Sequence, residues 1–238
     1  MTTEIKPISW SISRLKDFEK CKFAYKLKYL DKVPEPEREL PKGKSEFAND
    51  RGSRIHDAAE KYIRGEGPLI PELMKFEDLF NKLVRLYKCG QVEMEENWAL
   101  DEDWEIAPWE TGWVRLKLDV LVHIDKYSAV VADWKTGKKW GNEVAHAQQT
   151  QLYALITFLR YPELEEVTAE LIYLDVDEIS TQTFTRDQAL RFRAGFDKRG
   201  RALTTATAFP ANPNKFTCQW CLYGPEHSGH CAVGVRKA

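Results

Sequence analysis

The alternation of apolar and other positions is clearest over residues 113–124. Val114, Leu116, Leu118, Val120, Val122 and Ile124 fall on one face of a strand, and Arg115, Lys117, Asp119 and Leu121 on the other, because successive strand side chains point oppositely. Residues 125–128 are polar enough to turn, and 129–135 follow as a short, largely apolar strand of the kind found in a buried sheet. Upstream, Leu15, Phe18, Cys21, Tyr25 and Tyr29 recur at threes and fours. That spacing predicts one helix from the serines at 9, 11 and 13 to about Leu30. Residues 31–49 read as a proline-bearing loop, 50–63 as a helix closed by Gly65 and Gly67, and 71–88 as an amphipathic helix. Residues 92–109 read as a strand and loop whose Glu93, Glu95 and Glu96 form a solvated edge. A helix from about Asn142 to Tyr161, an alternating strand within 165–175 and a final helix over 185–204 complete the pattern.

Composition narrows the class. At 238 residues, 43% hydrophobic and 12% aromatic, the chain builds a sizeable core, and one elaborated domain is the simplest count. A net charge of −2 means that any nucleic-acid surface is a local patch, since the overall field does not attract a polyanion. The stretch of 191–201, with Arg191, Arg193, Lys198, Arg199 and Arg201, is the most basic and the candidate phosphate contact, although a solvated face explains it too. No stretch has the apolar length of a membrane span, and the first residues lack a signal-peptide core. Five cysteines in such a chain favour metal or cluster ligation over disulfides, and a cytoplasmic address inside a prokaryotic or virus-infected cell is expected.

Two stretches carry candidate chemistry. If the turn is centred near Lys126, Asp119 lies opposite Asp133, with Lys135 two residues on along the same face. Carboxylates directly opposed on neighbouring strands have Cβ atoms roughly 4.5–5.5 Å apart and repel. That placement gains a protein little unless a cation sits between them, and a carboxylate pair beside a lysine suits metal-assisted phosphoryl chemistry. An exposed hairpin with scattered charges is the bland alternative, weakened because Asp133 interrupts an apolar run. In the tail, Cys218 and Cys221 form a CxxC pair that bites a metal well. Cys231 follows, and the fourth ligand is His227, His230 or, from far upstream, Cys21, whose bland role is a buried structural thiol. His56, alone on its helix, has an ordinary structural role as its competitor.

Four separated elements line up in order: RGSRIH around His56, Asp119 in its strand, DWKTGK with Asp133 and Lys135, and QTQLY from Gln149 to Tyr153. Together they resemble the RecB-like branch of the PD-(D/E)XK nuclease superfamily. One cysteine before the histidine motif and three near the end is the arrangement of its iron–sulfur members, such as the AddB nuclease domain, CRISPR-associated RecB-like exonucleases and the exonuclease V family. The interval from Cys221 to Cys231 is longer than the family's usual one and holds two histidines, so zinc stays open beside iron–sulfur.

The resemblance implies an α/β, restriction-endonuclease-like core, a central mixed sheet flanked by helices, at about 45–180. It also implies a cysteine-ligated subdomain from 9–30 plus 205–238, which Cys21, Cys218, Cys221 and Cys231 would tie with a [4Fe–4S] cluster. His56, Asp119, Asp133 and the backbone carbonyl of Trp134 would hold Mg2+ or Mn2+. Lys135 would act on the nucleophilic water, and Gln149 and Tyr153 would position the strand. The implied activity is a metal-dependent DNA exonuclease working from single-stranded or frayed ends in recombination, repair or replication, with a helicase or recombinase as possible partner. The alternative is a catalytically silent nucleic-acid-binding partner with a zinc-stabilised tail.

Overall fold

The computed structural model describes residues 9–137, 139, 141 and 143–235, apart from the side chains of Glu95 and Glu96. The chain divides into two compact units, Leu40–Phe196 and the pair of segments Met1–Glu39 with Asp197–Ala238. Among the described residues no helix is long and apolar enough to cross a membrane.

The unit Leu40–Phe196 is built on a five-stranded mixed sheet in the order β1 (Val92–Leu100), β2 (Val114–His123), β3 (Ser128–Lys135), β4 (Glu166–Tyr173), β5 (Glu178–Thr185). All neighbours are antiparallel except β3 and β4, which are parallel and joined through helix α5 (Glu143–Arg160), the connection that parallel neighbours require. The β2–β3 turn is fixed by Asp125, whose Oδ1 accepts from the N–H groups of Tyr127 (2.7 Å) and Ser128 (2.8 Å). The resulting register pairs Val120 with Ala132 and Leu121 with Val131, so one further step sets Asp119 against Asp133.

Helices α3 (Ala48–Arg64) and α4 (Glu77–Lys88) cover one face of this sheet. Ile55, Ala59 and Ile63 of α3 and Phe80 and Leu83 of α4 share a core with Val120 and Val122 of β2 and Ala132 and Trp134 of β3. Strand alternation then turns Asp119 and Asp133 to the opposite face. That face is covered as well: Leu121 and Val131 are fully buried, as are Leu152 and Leu155 of α5. Helix α3 ends at Gly65, whose φ of +79° supplies the left-handed closure. Where 71–88 reads as one helix, Pro71–Phe76 forms a 3-10 segment before α4 begins at Glu77.

Strand β5 is absent from the hydrophobic pattern because it is an edge strand with only Phe184 buried, and its register against β4 supplies the pairing that its side chains do not announce. The basic stretch of 185–204 is two helices, α6 (Arg186–Arg191) and α7 (Arg193–Thr204). A capping box between Thr185 and Gln188 starts the first.

In the other unit the expected single helix over 9–30 is broken. Helix α1 (Ile12–Lys20), capped by Ser11, stops at Cys21, whose backbone is extended (φ −161°, ψ 108°), and the chain restarts as α2 (Lys22–Tyr25) and a π-helical turn, Lys26–Leu30. The apolar stripe runs on through the break, which is why spacing alone does not reveal it. A short helix, α8 (Lys215–Cys218), precedes the CxxC turn.

Gly112 packs so closely on β1 that an added Cβ would lie 2.3 Å from the Cβ of Ala99. Gly112→Ala is expected to destabilise the protein by about 1–3 kcal/mol through overpacking, read as a Tm lower by about 2–12 °C in a thermal melt.

Candidate active site

The β2–β3 ladder gives way at Val120–Ala132, and the next residue on each strand is an aspartate. Both are buried, Asp119 at 6% and Asp133 at 5% exposure, so each carboxylate needs partners. Asp119 Oδ2 accepts the backbone N–H of Trp134 at 2.8 Å, and its Oδ1 lies 3.0 Å from His56 Nδ1 on α3. Asp133 Oδ1 accepts from the Tyr153 hydroxyl at 2.6 Å and from Gln149 Nε2 at 3.0 Å, both on α5. Lys135 Nζ donates to Gln149 Oε1 at 2.9 Å. It also lies 2.5 Å from Asp133 Oδ2, an ion pair whose direction is not that of a hydrogen bond, so this buried oxygen has no hydrogen-bond partner.

The structure therefore brings His56, Asp119, Asp133, Lys135, Gln149 and Tyr153 into one connected network. Trp134 contributes its N–H to it, and its indole packs on Phe80 with ring centres 5.0 Å apart. Tyr153 is 2% exposed and holds Asp133 through its hydroxyl. Burial and the negative charges of Asp133 and Asp119 push its phenol well above its ordinary value, so it remains a proton donor.

The electrostatics follow from two acids sharing a dry site. Burial, then the charge of Asp133, raises the Asp119 carboxyl above its ordinary range. Burial of His56 opposes its protonation, but the hydrogen bond and charge of Asp119, with the charge of Asp133 added, raise it on balance. Both shifts mean that the folded chain holds protons that the unfolded chain releases. The Lys135 ammonium already compensates the charge of Asp133 Oδ2, and the two buried carboxylates offer the oxygen donors that a hard divalent ion takes.

The four expected cluster cysteines lie in the other unit. Cys21, Cys218, Cys221 and Cys231 line one small cavity, and neither His227 nor His230 does. His230 Nδ1 is instead 2.8 Å from the hydroxyl of Ser228. All five cysteines are unbridged, and Cys89 is exposed. The backbone N–H of Asn212 reaches Cys21 Sγ at 3.5 Å. Burial, and less strongly the other three cysteines, push the Cys221 thiol up. Among the described residues, no three or more His, Cys, Asp or Glu side chains are assembled as a metal site.

The basic stretch is tied down in part. Arg193 donates to the Asp103 carbonyl at 2.7 Å, Arg199 makes two bonds to Glu19, and Arg201 pairs with Asp197. Arg191 and Lys198 are exposed. Glu93, expected at a solvated edge, instead accepts from Tyr161 at 2.6 Å and meets His123 Nε2 at 2.6 Å.

A model of the PD-(D/E)XK nuclease superfamily matches residues 9–119 and 92–225, most of the chain. The chain belongs to that superfamily. A candidate exonuclease of Eubacterium rectale has a similar fold, at 14% identity and a TM-score of 0.53, over 97% of this chain and 91% of the other. Two further structures overlap less well. One is SSO0001, at 14% identity and a TM-score of 0.48 over 99% of this chain and 91% of that one. The other is a phage-related exonuclease from Haemophilus somnus 129PT, at 11% identity and a TM-score of 0.33 over 84% and 93%. No curated protein matches the chain. Lys117, which the sequence pattern does not mark as functional, shares a strand face with Asp119 and lines the open cleft beside Asp119 and His56.

The proton linkage has a definite sign. With no divalent ion present, the stability contributed by the raised groups is fully present below their unfolded values, 3.8 for Asp119 and 6.5 for His56, and is lost as pH rises through the higher folded values. Urea melts of the chain in chelator are expected to show stability falling with pH, by at most about 1.4 kcal/mol per pH unit for each proton released. Asp119→Asn is expected to flatten that slope.

Proposed function

We propose that this superfamily member is a divalent-metal-dependent DNA exonuclease that hydrolyses phosphodiester bonds from single-stranded or frayed ends. The observation that carries this reading is the pair of buried, opposed carboxylates beside a lysine. His56, Asp119, Asp133 and the carbonyl of Trp134 are the residues that would hold Mg2+ or Mn2+. Such an ion supplies an acidified water and neutralises charge on the scissile phosphate.

The chain's own groups divide the remaining work. Tyr153 and Gln149 fix Asp133 so that its second oxygen faces the site. Gln149 also orients the Lys135 ammonium through its Oε1, and from there Nζ donates to the attacking water or to a phosphate oxygen as negative charge develops. The Trp134 N–H holds the Asp119 carboxyl in place and favours its charged form against burial and the charge of Asp133. The product carries a 5′-phosphate and leaves a 3′-hydroxyl.

In the same proposal the chain is an iron–sulfur, RecB-like nuclease of DNA recombination or repair with a core at about 45–180. Residues 9–30 and 205–238 would form its cluster-binding part. Cys21, Cys218, Cys221 and Cys231 fit a [4Fe–4S] group because all four are unbridged and line one cavity that excludes both histidines.

End-labelled DNA incubated with Mg2+ or Mn2+ is expected to shorten, and chelator to stop it. Asp133→Ala should lower the rate about 100-fold or more while the chain still unfolds cooperatively; binding without metal-dependent turnover would instead favour the catalytically silent reading. Anaerobically purified protein is expected to carry about four irons per chain, lost in Cys221→Ser. Zinc without iron or sulfide would overturn the cluster assignment and leave the nuclease assignment standing.

A further inference from the structure

The open cleft beside His56 and Asp119 has chemistry that the metal site does not use. Its wall on α3 carries Asn49 and Ser53, its wall on β2 carries Lys117, and its floor beyond β3 carries Thr136. Every one of these side chains can donate a hydrogen bond. The helix comes close to the floor because position 52 is glycine: a Cβ there would meet Thr136 Oγ1 at 3.3 Å. Arg51 makes a two-pronged pair with Asp175, and Arg54 bridges Glu46 and Glu72. Among the described residues lining the cleft, Lys117 is the lysine, and His56, whose protonation Asp119 favours, lies beside it.

Lys117 and Asp119 are two residues apart on one strand face, a separation of roughly 6.5 Å along β2, about one nucleotide step of an extended strand. We infer that this cleft is the track of the DNA strand and that Lys117, with Ser53 and Thr136, binds the phosphate adjacent to the scissile one. The inference rests on the nuclease reading for the place of the scissile phosphate. A phosphodiester backbone fits the lining better than an apolar ligand does, because the wall is hydroxyl, amide and ammonium. Asp57 and Asp119 also border the cleft. Their charge opposes an anion until a cation is bound at the carboxylates, so the subsite fills together with the metal.

The test uses the full-length chain and a fluorescein-labelled single-stranded oligonucleotide. Anisotropy in Ca2+ over a salt series is expected to show Lys117→Gln binding about fivefold or more weakly, with the slope of log K against log salt reduced by about 0.7, the loss of one phosphate contact. Ser53→Ala should weaken binding less, and Lys117→Arg should keep most of it. In Mn2+, Lys117→Gln is expected to raise KM with kcat within about twofold of wild type, the mark of lost ground-state binding. Unchanged affinity and salt slope in Lys117→Gln would overturn the proposal, as would a fall in kcat alone, or a Lys117→Arg chain that behaves like Lys117→Gln. Wild type that binds but never cleaves would sink the nuclease reading, and the anisotropy comparison would still decide the role of Lys117.

Discussion

Two like charges forced together away from water are the constraint on which the structure of the larger unit turns. Asp119 and Asp133 sit one step beyond the last paired residues of β2 and β3, both buried, and nearly every polar contact around them serves to hold them there. A backbone N–H and an imidazole hold one; a phenol, an amide and an ammonium hold the other. For stability alone, a pair of well-packed apolar residues would do better than partly paired buried ions. The sheet pays for this arrangement with stability, which is the usual sign that a site serves chemistry rather than folding.

The fold explains how that arrangement is reached. Alternation sends Val120, Val122, Ala132 and Trp134 into the α3–α4 core, and the same alternation turns Asp133 the other way, to Gln149 and Tyr153 of α5, while Asp119 meets His56 at the edge of α3. The packing of Trp134 fixes β3, and therefore the Trp134 N–H that Asp119 accepts. Helix α5 is then more than a crossover. Residues 149 and 153, one turn apart, present an amide and a phenol to one carboxylate oxygen. The mixed sheet, with β3 and β4 parallel, is what gives α5 its place.

Much of this was legible in the chain. The Asp125 turn and the alternation on either side of it placed Asp119 against Asp133, and the register of β2 with β3 follows that reading. A packing role for Tyr153 against the sheet competes with a strand-positioning one in the sequence, and its burial with a hydroxyl on Asp133 combines the two. The break at Cys21 was hidden because the apolar stripe is continuous across it, and only the extended backbone there interrupts the helix. Strand β5 was hidden because Glu178–Thr185 is mostly exposed, and its pairing is recorded in backbone hydrogen bonds, not side-chain pattern. The tie of Glu93 to Tyr161 and His123 joins residues 68 and 30 positions apart, a meeting that only the assembled sheet produces.

Calorimetric titration of the purified chain with Mn2+ tests the central claim most directly. Wild type is expected to bind the ion, and Asp133→Asn to bind it at least about tenfold more weakly, since a charged oxygen ligand is removed. Equal affinity in wild type and in the Asp119→Asn, Asp133→Asn double variant would contradict the account.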